Sequence, residues 1–157
     1  EILSAIIDIG IQAVLIYPNN DAGSVGIMKA LDSIDTSNIH IKRNVDRESY
    51  ANLMKHAKFM IGNSSSGLLE APTFKLPAIN IGRRQNGRLQ AENVINTDFN
   101  KNAIISAIHK ATKDKDFLNK LKKVENPYGD GHSSKRIVNI LQSVSIDNRL
   151  MNKELTY

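Results

Sequence analysis

Phe59-Met60-Ile61-Gly62-Asn63-Ser64-Ser65-Ser66-Gly67-Leu68-Leu69-Glu70 is the stretch whose reading decides the fold. The apolar run ending at Gly62 reads as a buried strand. Small polar residues and Gly67 then make a tight turn, and Leu68-Leu69-Glu70 suit the start of a helix. Strand, turn and helix N-terminus together make an anion site, because the first helical N–H groups have no internal acceptor and the helix dipole adds positive charge there. Ser64, Ser65 and Ser66 add hydroxyl donors, and Gly67 permits a ligand to approach the backbone closely. Glu70 lies one turn further on, where a carboxylate repels phosphate but accepts hydrogen bonds from sugar hydroxyls. A nucleotide or nucleotide sugar carries both groups. The same residues would also serve as a plain polar turn feeding an N-cap.

Outward from this stretch, short apolar runs alternate with amphipathic ones. Ile2, Leu3, Ile6 and Ile7 recur at helical spacing, with Gly10 placed to stop the helix. Residues 13–17 favour a strand, and the turn signal Pro18-Asn19-Asn20-Asp21-Ala22-Gly23 closes it before a helix reaching about Ile34. Ile39–Ile41 is a second strand, and Asp46 is a good N-cap for a helix carrying Tyr50, Leu53, Met54 and Ala57. After the third strand at Phe59–Ile61, the loop and its helix run to about Phe74, with Pro72 an obstacle to a regular helix. Leu76–Ile81 and Glu92–Ile95 read as the fourth and fifth strands. Asn100 caps a helix with Ile104, Ile105, Ile108 and Ala111 inward; another covers Asp116–Val124. A last one opens at Ser133 with Ile137, Ile140, Leu141 and Val144 expected to face the core.

This alternation predicts an α/β fold: a Rossmann-like parallel sheet of about five strands with helices on both faces. Ligands then bind at the carboxyl ends of the strands, where loops 18–23, 43–50, 62–67 and 82–88 would meet. Among those loops, Gly82-Arg83-Arg84-Gln85-Asn86-Gly87-Arg88 offers three arginines whose planar forks suit phosphate oxygens. Asn19 and its neighbours offer amides for a base edge or ribose. Tyr50 could stack on a base or simply pack in the core.

Composition narrows the rest. At 157 residues, with 41% hydrophobic and 24% charged residues, the chain is one ordinary globular domain, expected to span 1–145 with a tail at 146–157. It opens at Glu1 with no leader-like start, so a piece of a longer protein is expected. No apolar run approaches the roughly 20 residues that span a bilayer. The net charge of +5 suits an anionic partner, but the basic residues are dispersed and aromatics make up only 5%, so nucleic acid is not expected. With no cysteine there is neither a disulfide framework nor a thiolate site, which fits a cytoplasmic location. The four histidines share no ligand spacing with carboxylates, and no metal is expected. Neither the dinucleotide fingerprint, the P-loop nor the Gly-x-Ser-x-Gly elbow is found. No acid–base carboxylate pair stands out, so the loops are suited to binding more than to reaction.

Four motifs in order resemble the C-terminal domain of hydrolysing UDP-N-acetylglucosamine 2-epimerases: 16–24, Met60 through Pro72, Ile79 through Arg88 with Glu92-Asn93, and Asn126-Pro-Tyr-Gly-Asp-Gly131. The resemblance covers about residues 1–145. It implies one half of the two-domain GT-B architecture and no cofactor. The implied reaction converts UDP-N-acetylglucosamine to N-acetylmannosamine and UDP, by elimination of UDP and hydration of the glycal, at the entry to sialic acid synthesis. It implies that Asn19 contacts the nucleotide, that the Val45 backbone reads uracil and that Tyr50 packs on the base. Ser64, Ser65 and the Ser66–Gly67 backbone hold the diphosphate, Glu70 takes the ribose hydroxyls and Arg84 faces the phosphates. No catalytic residue is assigned to this chain; the family's catalytic carboxylates belong to an N-terminal domain, and a homo-oligomer is expected of the full-length protein. A GT-B glycosyltransferase donor domain and a non-catalytic nucleotide-sugar sensor are the competing readings.

Overall fold

The computed structural model describes residues 1–17, 26 and 37–152. The expected contact at Asn19 and the helix reaching Ile34 lie outside the described residues.

Local chemistry starts and stops most elements. Helix α1 (Ile2–Ile9) ends where Gly10, left-handed at φ 71, turns its N–H back onto Ile6 O and Ile7 O. Strand β1 (Ala13–Ile16) pairs in parallel with β2 (Ile39–Lys42). Asp46 then caps α2 (Arg47–His56), its carboxylate accepting the Ser49 N–H at 2.9 Å. Strand β3 (Met60–Gly62) feeds the serine turn and the short α3 (Ser66–Leu69), followed by a 3-10 turn at Ala71–Phe74. Strands β4 (Ala78–Ile81) and β5 (Val94–Thr97) bracket the arginine loop. Asn100 caps α4 (Lys101–Lys113) through a 2.9 Å bond from Ala103 N–H, and Asp114 caps α5 (Lys115–Leu121). Helices α6 (Ser133–Ser143) and α7 (Asn148–Met151) complete the described chain.

Among the described residues all strand pairings are parallel, as expected, but they form two ladders, β1–β2 and β3–β4–β5, where one sheet was expected. β3 is three residues long and pairs with β4, and among the described residues no ladder bond joins its other edge to β1 or β2. The register Gly62↔Asn80↔Asn96 fixes where the carboxyl ends of β3, β4 and β5 stand relative to one another. β4 is buried along its whole length, as the middle strand of a covered parallel sheet must be.

One core cluster packs Ile79, Ile81 and Ile95 against Ile104, Ala107, Ile108 and Ala111 of α4, with Ala5, Phe117, Leu121 and Val124 closing it. α1 is tied to α4 by an ion pair between Lys101 and Asp8, and by the Glu1 carboxylate accepting from Lys101 N–H at 2.8 Å. A smaller cluster, Met54, Ala71, Leu76 and Ala78, lies under the serine loop with Tyr50, Met60 and Phe74 packed on it.

Two expectations need correction. The helix after β3 does not run to Phe74: α3 stops at Leu69, and the chain re-forms as a 3-10 turn around Pro72. Proline has no N–H, so the α-helical ladder cannot pass it. The apolar face of α6 does not reach the core either. Ile137, Ile140, Leu141 and Val144 are 55%, 62%, 68% and 40% exposed, and no described element covers them. Helical spacing fixes which residues share a face, but not what covers it. Among the described residues no helix is long and apolar enough to cross a membrane.

Candidate functional site

The site is built where β3 gives way to α3. Gly62 has φ 146, a conformation that side chains resist, and it turns the chain out of the sheet into Asn63-Ser64-Ser65. Inside the turn the Ser66 N–H donates to Ser64 Oγ and the Gly67 N–H to Ser64 O, both at 3.3 Å, the long end of the hydrogen-bond range. The N–H groups of Leu68 and Leu69 both donate to Ser65 O at 2.9 Å. Among the described residues, the N–H groups of Ser64 and Ser65 find no acceptor. Ser64 is exposed, and Ser65 and Ser66 are half-buried. The turn therefore presents backbone donors and hydroxyls outward at a helix start, the chemistry an anion needs.

Gly67 packs the turn against the sheet. It is buried, and a Cβ there would sit 3.1 Å from the Ala78 Cβ. The close approach it allows is of α3 to β4. Its place against the middle strand holds the turn onto the sheet.

The arginine loop is latched to the serine loop through one atom. Arg84 Nη1 donates to Asn63 O at 3.1 Å, and the buried Gln85 side chain donates to the same oxygen at 2.7 Å. This brings Arg84 to the serine turn, as the sequence reading requires, with Arg84 itself exposed. Glu70 is half-buried at the junction of α3 and the 3-10 turn, with φ −113 and ψ −44. Val45 is half-buried just beyond β2. Tyr50 is half-buried on α2 and packs on the smaller cluster, so part of its ring serves the core and part remains at the surface.

Side chains to which the sequence reading gave no role hold these loops. Asn93 is fully buried, and its amide donates to Gly67 O at 3.2 Å and Leu76 O at 3.0 Å, joining α3 to the start of β4. Asn80, 3% exposed, donates to Asn96 Oδ1 at 2.8 Å across the carboxyl ends of β4 and β5. Asn126 donates to Leu69 O at 2.9 Å and Thr73 Oγ1 at 2.8 Å. The available signal was an amide set against apolar runs, in Glu92-Asn-Val-Ile95 and Ala78-Ile-Asn-Ile81, because a buried amide is costly unless hydrogen-bonded.

The fold has solved counterparts. The chain superposes on UDP-GlcNAc 2-epimerase from Neisseria meningitidis, solved bound to UDP-GlcNAc, with a TM-score of 0.68 and 21% identity, over 91% of this chain and 40% of that one. MnaA from S. aureus, solved in a co-structure with UDP, matches with a TM-score of 0.66 and 26% identity, over 90% of this chain and 38% of that one. Parallel strands with a serine turn at their carboxyl ends, in this architecture, define one Rossmann-like half of a GT-B protein.

Residues 1–142 match the family model described as UDP-N-acetylglucosamine 2-epimerase. A curated relative, the UDP-N,N'-diacetylbacillosamine 2-epimerase (hydrolyzing) of Legionella pneumophila, is 32% identical over 155 residues, which is 98% of this chain and 40% of that protein. The chain belongs to the UDP-N-acetylglucosamine 2-epimerase family. It spans about 40% of the length of these relatives.

Proposed function

We propose that this chain, over about residues 1–145, is the UDP-binding half of a hydrolysing UDP-N-acetylglucosamine 2-epimerase. The full protein would eliminate UDP from UDP-N-acetylglucosamine and hydrate the resulting glycal to N-acetylmannosamine, the precursor of sialic acid. The observation that carries the reading is the latch at Asn63 O, where Arg84 and Gln85 converge and bring a cationic loop against a serine turn with open donors. Serine hydroxyls, helix N–H groups and a guanidinium are the groups a diphosphate needs. In this reading Ser64, Ser65 and the Ser66–Gly67 backbone take the diphosphate, and Arg84 neutralises it as the leaving group departs. Glu70 takes the ribose hydroxyls, the Val45 backbone and Tyr50 take the uracil, and Asn19 contacts the nucleotide.

The match to the co-structure with UDP supports the nucleotide, and the Legionella relative's name supports the hydrolysing branch. The elimination needs an acid and a base. We assign those to an N-terminal domain elsewhere in the protein, so residues 1–157 alone would bind UDP weakly without turning substrate over. The test is incubation of the full-length protein with UDP-N-acetylglucosamine, with the products identified by NMR. Free UDP together with N-acetylmannosamine is expected. UDP-N-acetylmannosamine without UDP release would assign the protein to the non-hydrolysing branch. A parallel incubation with UDP-N,N'-diacetylbacillosamine tests the sugar for which the Legionella relative is named.

A further inference from the structure

The loop Asn126–Gly131, for which the proposed chemistry has no use, is bonded to the chain just beyond each loop of the site. Pro72 ends the helical ladder after α3, so the carbonyl of Leu68 has lost its helical donor. The Thr73 N–H, which would serve Leu69 O in a continued helix, goes instead to Glu70 O at 3.0 Å. The Asn126 amide fills that gap: it donates to Leu69 O at 2.9 Å and to Thr73 Oγ1 at 2.8 Å, gripping the chain on both sides of Glu70. Its own Oδ1 accepts the Tyr128 N–H at 2.9 Å, a turn that carries the Tyr128 ring outward. There the phenol donates to Leu89 O at 2.8 Å, one residue past Arg88 of the arginine loop. Beyond Tyr128, Asp130 and Arg136 form a two-bond ion pair at 2.8 and 2.6 Å that fastens the loop to the first turn of α6.

We propose that Asn126 and Tyr128 are positioning residues: they fasten the Glu70 segment and the arginine loop to one another and set both onto the ligand. The proposal rests on the UDP reading of the site. Tyr128 is 43% exposed, and its loop contributes little to the core, so the hydrogen bonds and not burial are its contribution. Asn126 orients Glu70, which would take the ribose; the diphosphate donors on Ser64 and Ser65 lie upstream of the segment it grips. Losing the grip therefore weakens a nucleoside diphosphate more than pyrophosphate.

The experiment compares Asn126→Ala and Tyr128→Phe with the parent 157-residue chain, by calorimetry with UDP and with pyrophosphate and by amide hydrogen exchange without ligand. Asn126→Ala is expected to weaken UDP about tenfold and pyrophosphate by less than about twofold. It should also speed exchange at Glu70 and Thr73. Tyr128→Phe, which keeps the ring, should speed exchange at Arg88. Equal weakening of both ligands, or exchange changes confined to 126–131, would overturn the proposal. A parent chain that binds no UDP would defeat the UDP reading instead, and the exchange data would still decide whether the loop fastens the two segments.

Discussion

Asn63 acts through its backbone. Its carbonyl accepts from Arg84 and Gln85 together, so the guanidinium shares its acceptor with a buried neutral amide. Replacing Arg84 by alanine should leave the Gln85 bond in place and remove a charge-assisted ligand contact of about 1.5–3 kcal/mol, roughly ten- to a hundredfold in UDP affinity. Isothermal titration checks this; an unchanged affinity would mean that Arg84 does not meet the phosphates. Asp130 gives a pH prediction. The Arg136 guanidinium, with the His132 N–H and the charge attraction adding to it, holds the Asp130 carboxyl well below the usual carboxylate range. A depressed carboxylate contributes stability that is present above its unfolded pKa near 3.9 and fades as pH falls through the folded value. The ion pair should thus persist from neutral pH to well below about pH 4, its contribution to stability fading only beneath the ordinary carboxylate value. A carbon-13 titration of the Asp130 carboxyl with a midpoint at or above the ordinary value would contradict it.

At the scale of elements, α3 and β4 touch through a glycine. Gly67→Val would push a branched side chain into Ala78, which is buried on the middle strand. A destabilisation of about 1–3 kcal/mol is expected from such overpacking, measured as a loss in urea midpoint at unchanged m-value. Its neighbour Ala78 is eleven residues away, in a strand whose distance from the turn no local pattern encodes. The caps at Asp46 and Asn100 were legible because donor and acceptor are three residues apart. Pro72 was legible as a helix breaker for the same reason. The amide of Asn126, 57 residues from the carbonyl it serves, was not, and neither was that of Asn93. The face of α6 was read correctly as apolar but wrongly as inward, because periodicity is local and cover is not.

At the scale of the whole molecule, the alternation of strands and helices carried the fold class, and the parallel ladders bring the serine and arginine loops to one edge. The division into two ladders was not legible, since which strand edges pair is decided between residues far apart in the chain. The core that holds this edge centres on Ile104, fully buried beneath β4 and β5. Ile104→Ala should cost about 2–5 kcal/mol and lower the melting temperature measured by circular dichroism. A shift of under a degree would mean that α4 is not packed as described. The central claim is that the serine turn and Glu70 together recognise UDP. Its most direct test is calorimetric titration of the chain, parent and Glu70→Gln, with UDP and with inorganic phosphate. The account predicts weak UDP binding by the parent, and a Glu70→Gln loss that is larger for UDP than for phosphate. No UDP binding at millimolar concentration, or equal losses for the two ligands, would contradict it.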